Sequence, residues 1–272
     1  MNRKIFITYG NSEYSQSLER IRKEAEESGE FDTIIVYTER DLPDVLKQNV
    51  LFQFSRGGGY WIWKPYICWK TLQLCDSTDV VFYSDAGNKI YKHKRWKHYW
   101  NLMKTNGGIF FYNKAYMEER SRKKMLEEYR PIIPKIRKMY QIQGGAFFIS
   151  IRCRHVIKEW LDMMLCHPEW VIDAKEDEKD IEYPQFIENR HDQAVLSCAA
   201  YRYWKVCDLY ITMQDAERYQ RGGQPFFHAR ISNNMVRSGM VYEQYYVTIL
   251  RKILINPVRY LKMWYYKLLI QQ

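Results

Sequence analysis

No two cysteines in this sequence are separated by two residues, although six are present: Cys68, Cys75, Cys153, Cys166, Cys198 and Cys207. That spacing argues against a zinc ribbon or a redox pair, and 272 residues is long for a small disulfide scaffold. The thiols read as reduced packing residues of a cytoplasmic protein. No apolar run reaches the roughly 20 residues of a membrane-spanning helix. The opening MNRKIFITYG lacks the apolar block of a secretory signal. The glycines follow neither the Walker nor the dinucleotide-binding spacing. There is no internal repeat and no low-complexity linker. The last stretch, YVTILRKILINPVRYLKMWYYKLLIQQ, contains no acidic residue.

What is abundant is positive charge and aromatic surface. The formal net charge is +10, which points to an anionic partner: nucleic acid, a phosphorylated small molecule or a lipid surface. Aromatic residues make up 16% of the chain, with 23 Tyr and 9 Trp, and suit stacking surfaces as well as cores. A hydrophobic share of 46% supports a sizeable core.

Apolar β-formers alternate with helical patterns. KIFITY (4–9), TIIVYT (33–38), DVVFYS (79–84), GGIFFYN (107–113) and GGAFFISI (144–151) read as strands. Helices are expected over 13–28, 42–49, 92–104, 115–140, 153–166 and from about 192 to 202, with another entered at Pro65. The alternation predicts an α/β fold with a parallel sheet. Residues 1–238 read as one domain and 239–272 as a basic amphipathic tail, broken at Pro257, with Arg251, Lys252, Arg259, Lys262 and Lys267 set to face anionic headgroups.

Five stretches carry candidate chemistry. Asp85 follows a strand, where open α/β sheets bind ligands, and a carboxylate there suits a divalent cation. Ala86 and Gly87 after it leave room for a ligand; a plain strand-to-loop turn is the alternative. Gly57–Gly59 are followed by Trp61 and by Lys64 at a helix start, a place that favours phosphate. Gln143, Gly144 and Gly145 precede a strand as a tight turn or a close approach to ligand. Asp192 opens a helix, as a cap or as a proton acceptor for an attacking hydroxyl. His228 in PFFHARI is a metal ligand or a hydrogen-bonded core residue.

The ordered set RGGGYWIWKPYICWKTL, FYSDAG, QGGAFFI, HDQAVLS and PFFHARI resembles the small bacterial glycosyltransferases of capsule and O-antigen clusters over residues 1–235. The resemblance implies a GT-A fold, Rossmann-like and nucleotide-binding, and at its best-described β-galactofuranosyl transfer from UDP-galactofuranose. It implies that Asp85 and His228 hold Mn²⁺ or Mg²⁺. Trp61, Lys64, Tyr83, Asp85, Ala86, Gly87, Gln143, Gly144, Gly145 and Gln193 would lie along the donor, and Asp192 would be the base of an inverting reaction. Gly87 departs from the usual motif, where a second acid is common. The partners implied are a UDP-sugar and a lipid-linked oligosaccharide, with the tail on the anionic inner face of the cell membrane and no nucleic acid. Two rivals stand beside this reading. One is a sugar nucleotidyltransferase, whose glycine-rich amino-terminal signature FITYGNSEYS lacks. The other is a non-enzymatic basic protein that binds nucleic acid or membrane.

Overall fold

A computed structural model describes residues 3–213, 224–231 and 233. The tail expected over 239–272 lies outside the described residues. Among the described residues nine strands form, and seven build one sheet: β1 (Lys4–Tyr9), β2 (Thr33–Tyr37), β3 (Val80–Ser84), β5 (Gly108–Tyr116), β6 (Tyr140–Ile142), β7 (Ala146–Ile149) and β8 (Leu209–Met213). β4 (Lys89–Ile90) and β9 (Phe226–Phe227) pair separately. The longer helices are α1 (Ser15–Ser28), α2 (Trp63–Leu72), α3 (Trp96–Thr105), α4 (Lys123–Tyr129), α5 (Arg154–Cys166) and α6 (His191–Arg202).

The fold is mixed α/β. The strands run in the order β2-β1-β3-β7-β5-β6, with β8 also on β5. β1 pairs in parallel with β2 and β3, and β5 with β8. β7 is antiparallel to β3 and β5, and β6 to β5, so the sheet is not purely parallel as expected. The reason is local. β6 and β7 run in the same direction beside β5, interrupted only by Gln143–Gly145. Tyr112 faces Ile142 while Ile109 faces Phe148. The three residues between are extra to the ladder and swell out of it as a bulge.

Strand alternation sends successive side chains to opposite faces. Ile5, Ile7, Val81, Tyr83, Phe147 and Ile149 face a core shared with α2, α5 and α6. Phe6, Phe82, Ile109, Phe111 and Phe148 face a second, strongly aromatic core with Ile21 of α1, Trp96 and Tyr99 of α3, and Phe226. There Phe82 lies 4.6 Å from Phe148 and 5.1 Å from Phe226. Four of the six cysteines (Cys68, Cys153, Cys198 and Cys207) are buried.

The long helix expected over 115–140 does not form. β5 runs on to Tyr116, single turns occupy Met117–Arg120 and Ile136–Lys138, and only α4 is helical for longer. Pro131 and Pro134 remove backbone donors and break the ladder that residues 115–140 would otherwise continue. Among the described residues no helix is long and apolar enough to cross a membrane.

Candidate active site

Strand β3 is buried along its whole length, so the first polar side chain past its end sits at the edge of the core. That side chain is Asp85. Tyr83, two residues earlier on the same strand face, donates its hydroxyl to Asp85 Oδ1 at 2.5 Å. Tyr83 is fully buried, and burial followed by the charge of Asp85 drives its phenol well above the ordinary value, so it remains a donor. The Asp85 backbone N–H donates to Gly145 O at 2.9 Å, tying the end of β3 to the bulge.

Lys64 enters from the first turn of α2 and is 3% exposed. Its Nζ lies 3.2 Å from Asp85 Oδ1 and 3.2 Å from Asp192 Oδ2, and donates to Gly144 O at 3.1 Å. A lysine ammonium has three donors, and these three oxygens match them. Lys64 is therefore a tie between two carboxylates, where the sequence reading set a phosphate ligand. Burial pulls its pKa down, but Asp192 and Asp85 together raise it above the usual lysine value.

Asp192 is the second residue of α6 and is 5% exposed. Burial pushes its carboxyl up to about 6, with Lys64 opposing and the Asp85 charge adding to the rise. A carboxylate with that value accepts a proton more readily than an ordinary aspartate yet is ionised at neutral pH. Gln193 beside it clasps the bulge: its Oε1 accepts from Gly144 N–H at 3.2 Å, and its Nε2 donates to Gln141 Oε1 at 2.8 Å.

His228 comes from the segment after β9. Asn88 Nδ2 donates to Ser84 Oγ at 2.9 Å and to Gly145 O at 2.8 Å, which turns Asn88 Oδ1 toward His228 Nδ1 at 3.2 Å. Nδ1 therefore carries the proton, and Nε2 is the nitrogen with the lone pair that a metal requires. A Cβ at Gly145 would lie 3.1 Å from Asp85 Oδ2 and 3.1 Å from His228 Cε1, so glycine lets carboxylate and imidazole flank the same point. Among the described residues no group of three or more His, Cys, Asp or Glu gathers. One carboxylate oxygen and one imidazole fit a hard cation whose other ligands are diphosphate oxygens and water, the usual manner of Mg²⁺ at nucleotide sites.

These groups line a cavity of about 300 Å³, at the lower end of the roughly 300–1,000 Å³ of small-molecule sites. Of the residues singled out in the sequence, Trp61, Lys64, Asp85, Gln143, Gly144, Gly145, Asp192, Gln193 and His228 come together in its wall. Tyr83, Ala86 and Gly87 are not part of that wall. Ala86 O accepts from Arg20 at 2.6 Å, Gly87 O accepts from Ile231 N–H at 2.8 Å, and a Cβ at Gly87 would meet the Arg230 and Ile231 backbone at 3.3–3.4 Å. The small residues after Asp85 thus admit the protein's own chain. The wall also contains Asn88, Asn113, Arg190, His191 and Arg230, none of which the sequence reading chose. Arg190 and His191 directly precede Asp192, Asn88 directly follows Gly87, and Arg230 is two residues past His228, so proximity to chosen residues was the available signal for these four, while Asn113 carried none.

No protein-family profile matches the sequence, and no curated protein matches it. Solved structures match over most of the chain. A glycosyltransferase involved in the glycosylation of the major capsid of PBCV-1 is 11% identical, with a TM-score of 0.49, over 88% of this chain and 98% of its own. The galactosyltransferase LgtC, in complex with donor and acceptor sugar analogs, is 16% identical, with a TM-score of 0.39, over 76% of this chain and 72% of its own. Mouse xyloside xylosyltransferase 1 is 10% identical, with a TM-score of 0.42, over 84% of this chain and 97% of its own.

Proposed function

We propose that the protein is a glycosyltransferase that moves a sugar from a nucleoside diphosphate donor to a glycan hydroxyl. One observation carries this reading. A buried lysine holds two carboxylates at the floor of a single cavity, one beside an imidazole with its lone pair on Nε2 and the other raised to about 6 by burial. The first end suits a cation and diphosphate. The second suits a hydroxyl that must lose its proton.

In the reaction, the acceptor oxygen forms a bond to the anomeric carbon, and the bond from that carbon to the diphosphate oxygen breaks with its electron pair. Asp192 takes the hydroxyl proton. Asp85 and His228 would hold Mn²⁺ or Mg²⁺, which supplies positive charge to the departing diphosphate. Lys64 keeps Asp192 ionised between turnovers. The donor we assign is a UDP-hexose, galactose or galactofuranose. The basic, aromatic segment 239–272 supports an acceptor borne on a lipid at the inner face of the cell membrane.

The basic stretch 114–140 would be the natural nucleic-acid surface, but much of its charge is paired internally. Arg122 meets Glu178 and Glu182, Arg120 meets Glu188, Arg130 meets Glu127, and Arg137 and Lys138 both meet Glu118. The acidic stretch 173–182 thus neutralises part of this cluster through Glu178 and Glu182.

The test is a set of UDP-sugars, each added to the full chain with and without Mn²⁺, read as thermal stabilisation and as released UDP. At least one is expected to raise the melting temperature, because a ligand bound only by the folded state stabilises it. It should do so more with Mn²⁺ than without, and release UDP faster with a polyprenyl-diphosphate-linked sugar present. No stabilisation and no UDP release across the set would overturn the proposal.

A further inference from the structure

His191 is buried, titratable and unused by the chemistry above, and its backbone is strained. It is 4% exposed and sits at φ +51°, in the left-handed region that side chains other than Asn and Asp rarely enter. It is the first residue of α6, immediately before Asp192. Strain of this kind persists where the surroundings enforce it, and here they do so from three sides.

The first restraint is a hydrogen bond. His191 Nδ1 donates to Val171 O at 2.7 Å, which fixes the tautomer and holds the ring against the end of the Pro168–Val171 turn. The second is Trp61, whose ring stacks on the imidazole at 5.5 Å and 24°. Trp61 is itself fixed, because Gly57–Gly59, Tyr60 and Trp61 all have positive φ and a Cβ at Gly57 would lie only 2.4 Å from the indole. The glycine cluster therefore serves a left-handed run that seats Trp61, a use without phosphate. The third is Tyr60, whose ring lies 5.0 Å from the imidazole and is held in turn by its hydroxyl donating to Asp173 Oδ2 at 3.0 Å. Burial holds the imidazole below its ordinary pKa.

We infer that His191 is a positioning residue: its pinned ring enforces the left-handed backbone that delivers Asp192 to Lys64 and the cavity. The inference rests on Asp192 as base but concerns only what places it. It makes an unusual demand on substitutions. Asparagine tolerates the left-handed region, and its Nδ2 occupies the place of imidazole Nδ1, so it can still donate to Val171 O. Alanine satisfies neither requirement. Glycine satisfies the backbone alone.

The experiment compares His191→Asn, His191→Ala and His191→Gly in the full chain. Two readouts are used: turnover and KM with the UDP-sugars that the wild type hydrolyses or transfers, and the ¹³C titration of the Asp192 carboxyl, assigned with Asp192→Asn. The alanine variant is expected to lose at least tenfold in kcat with donor KM within threefold, and its Asp192 midpoint to fall toward that of an ordinary aspartate. The asparagine variant is expected to remain within about threefold of wild type with its midpoint unmoved. Should the alanine variant not fold, the glycine variant, free of backbone strain, must still lose kcat and shift the midpoint. Wild-type behaviour of the alanine or glycine variant, or an asparagine variant as impaired as alanine, would overturn the inference. A wild type that uses no UDP-sugar defeats the functional reading instead, and the carboxyl titration still decides the role of His191.

Discussion

Asp192→Asn is expected to stop sugar transfer while leaving nucleotide binding almost intact. The amide keeps the shape of the carboxylate and its place at the start of α6, but it accepts no proton. General-base removal costs about 10²- to 10⁴-fold in rate, and the upper part of that range is expected here because, among the described residues of the cavity wall, the other carboxylate is Asp85, at the cation end. Affinity for UDP should stay within threefold, since Asp85 and His228 flank Gly145 whereas Asp192 flanks Gly144. The pH dependence follows from the burial of Asp192. The residue works as a base only when ionised, so wild-type kcat/KM should be constant above about pH 7 and fall on an acid limb with a midpoint near 6. A variant that transfers sugar at the wild-type rate, or an acid limb near pH 4, would show that another group takes the proton.

Lys64→Met is expected to have the largest effect on stability. Methionine roughly matches the aliphatic stem of the lysine, so the loss is mainly one of charge. Asp85 and Asp192 would then share a site without their common cation, and Gly144 O would lose its donor. Removing one partner from a buried ion pair typically costs about 3–5 kcal/mol, and that loss is expected in urea unfolding at pH 8. The sign of the pH dependence is fixed. Without Lys64 the folded-state pKa of Asp192, already raised by burial, rises further above its unfolded value. The folded variant then binds protons that the unfolded chain does not, so its deficit is greatest at alkaline pH and shrinks as pH falls toward 5. Turnover should also fall, because Asp192 would be largely protonated at neutral pH. A deficit below about 1 kcal/mol, or one that grows on acidification, would mean that Lys64 is not the counter-ion of this pair.

These two residues also show how far the sequence could be read. Asp85 and Asp192 could be picked out as candidates because each lies next to a clear periodic element, a buried strand and an apolar helix, and both line one cavity. Lys64 was legible as a residue but not in its role. A helix start favours phosphate, and only the bulge at Gln143–Gly145 and the position of α6 show that its donors meet protein oxygens. The antiparallel course of β7 was hidden for a related reason. Strand periodicity does not record direction, and three residues are enough to interrupt a strand without turning it round. The helix expected over 115–140 failed because charge and length were weighed above Pro131 and Pro134. The β4–β9 ladder was missed because two residues a side show no periodicity, whereas β8 is as long as β2 and β3 and was simply passed over. His191 escaped notice because positive φ in a residue other than glycine leaves no mark on the sequence.

The cation-and-diphosphate end of the cavity is the central claim, and Asp85 isolates it. The most direct measurement is calorimetric titration of UDP, with Mn²⁺ present, into the wild type and into Asp85→Asn, with Asp192→Asn as the control that keeps Asp85 and His228 in place. The expected result is Mn²⁺-dependent binding to the wild type and to Asp192→Asn, and at least a thirtyfold weaker association with Asp85→Asn. Equal affinity for all three proteins, or binding that ignores Mn²⁺, would contradict the assignment of this cavity to a nucleotide-sugar donor.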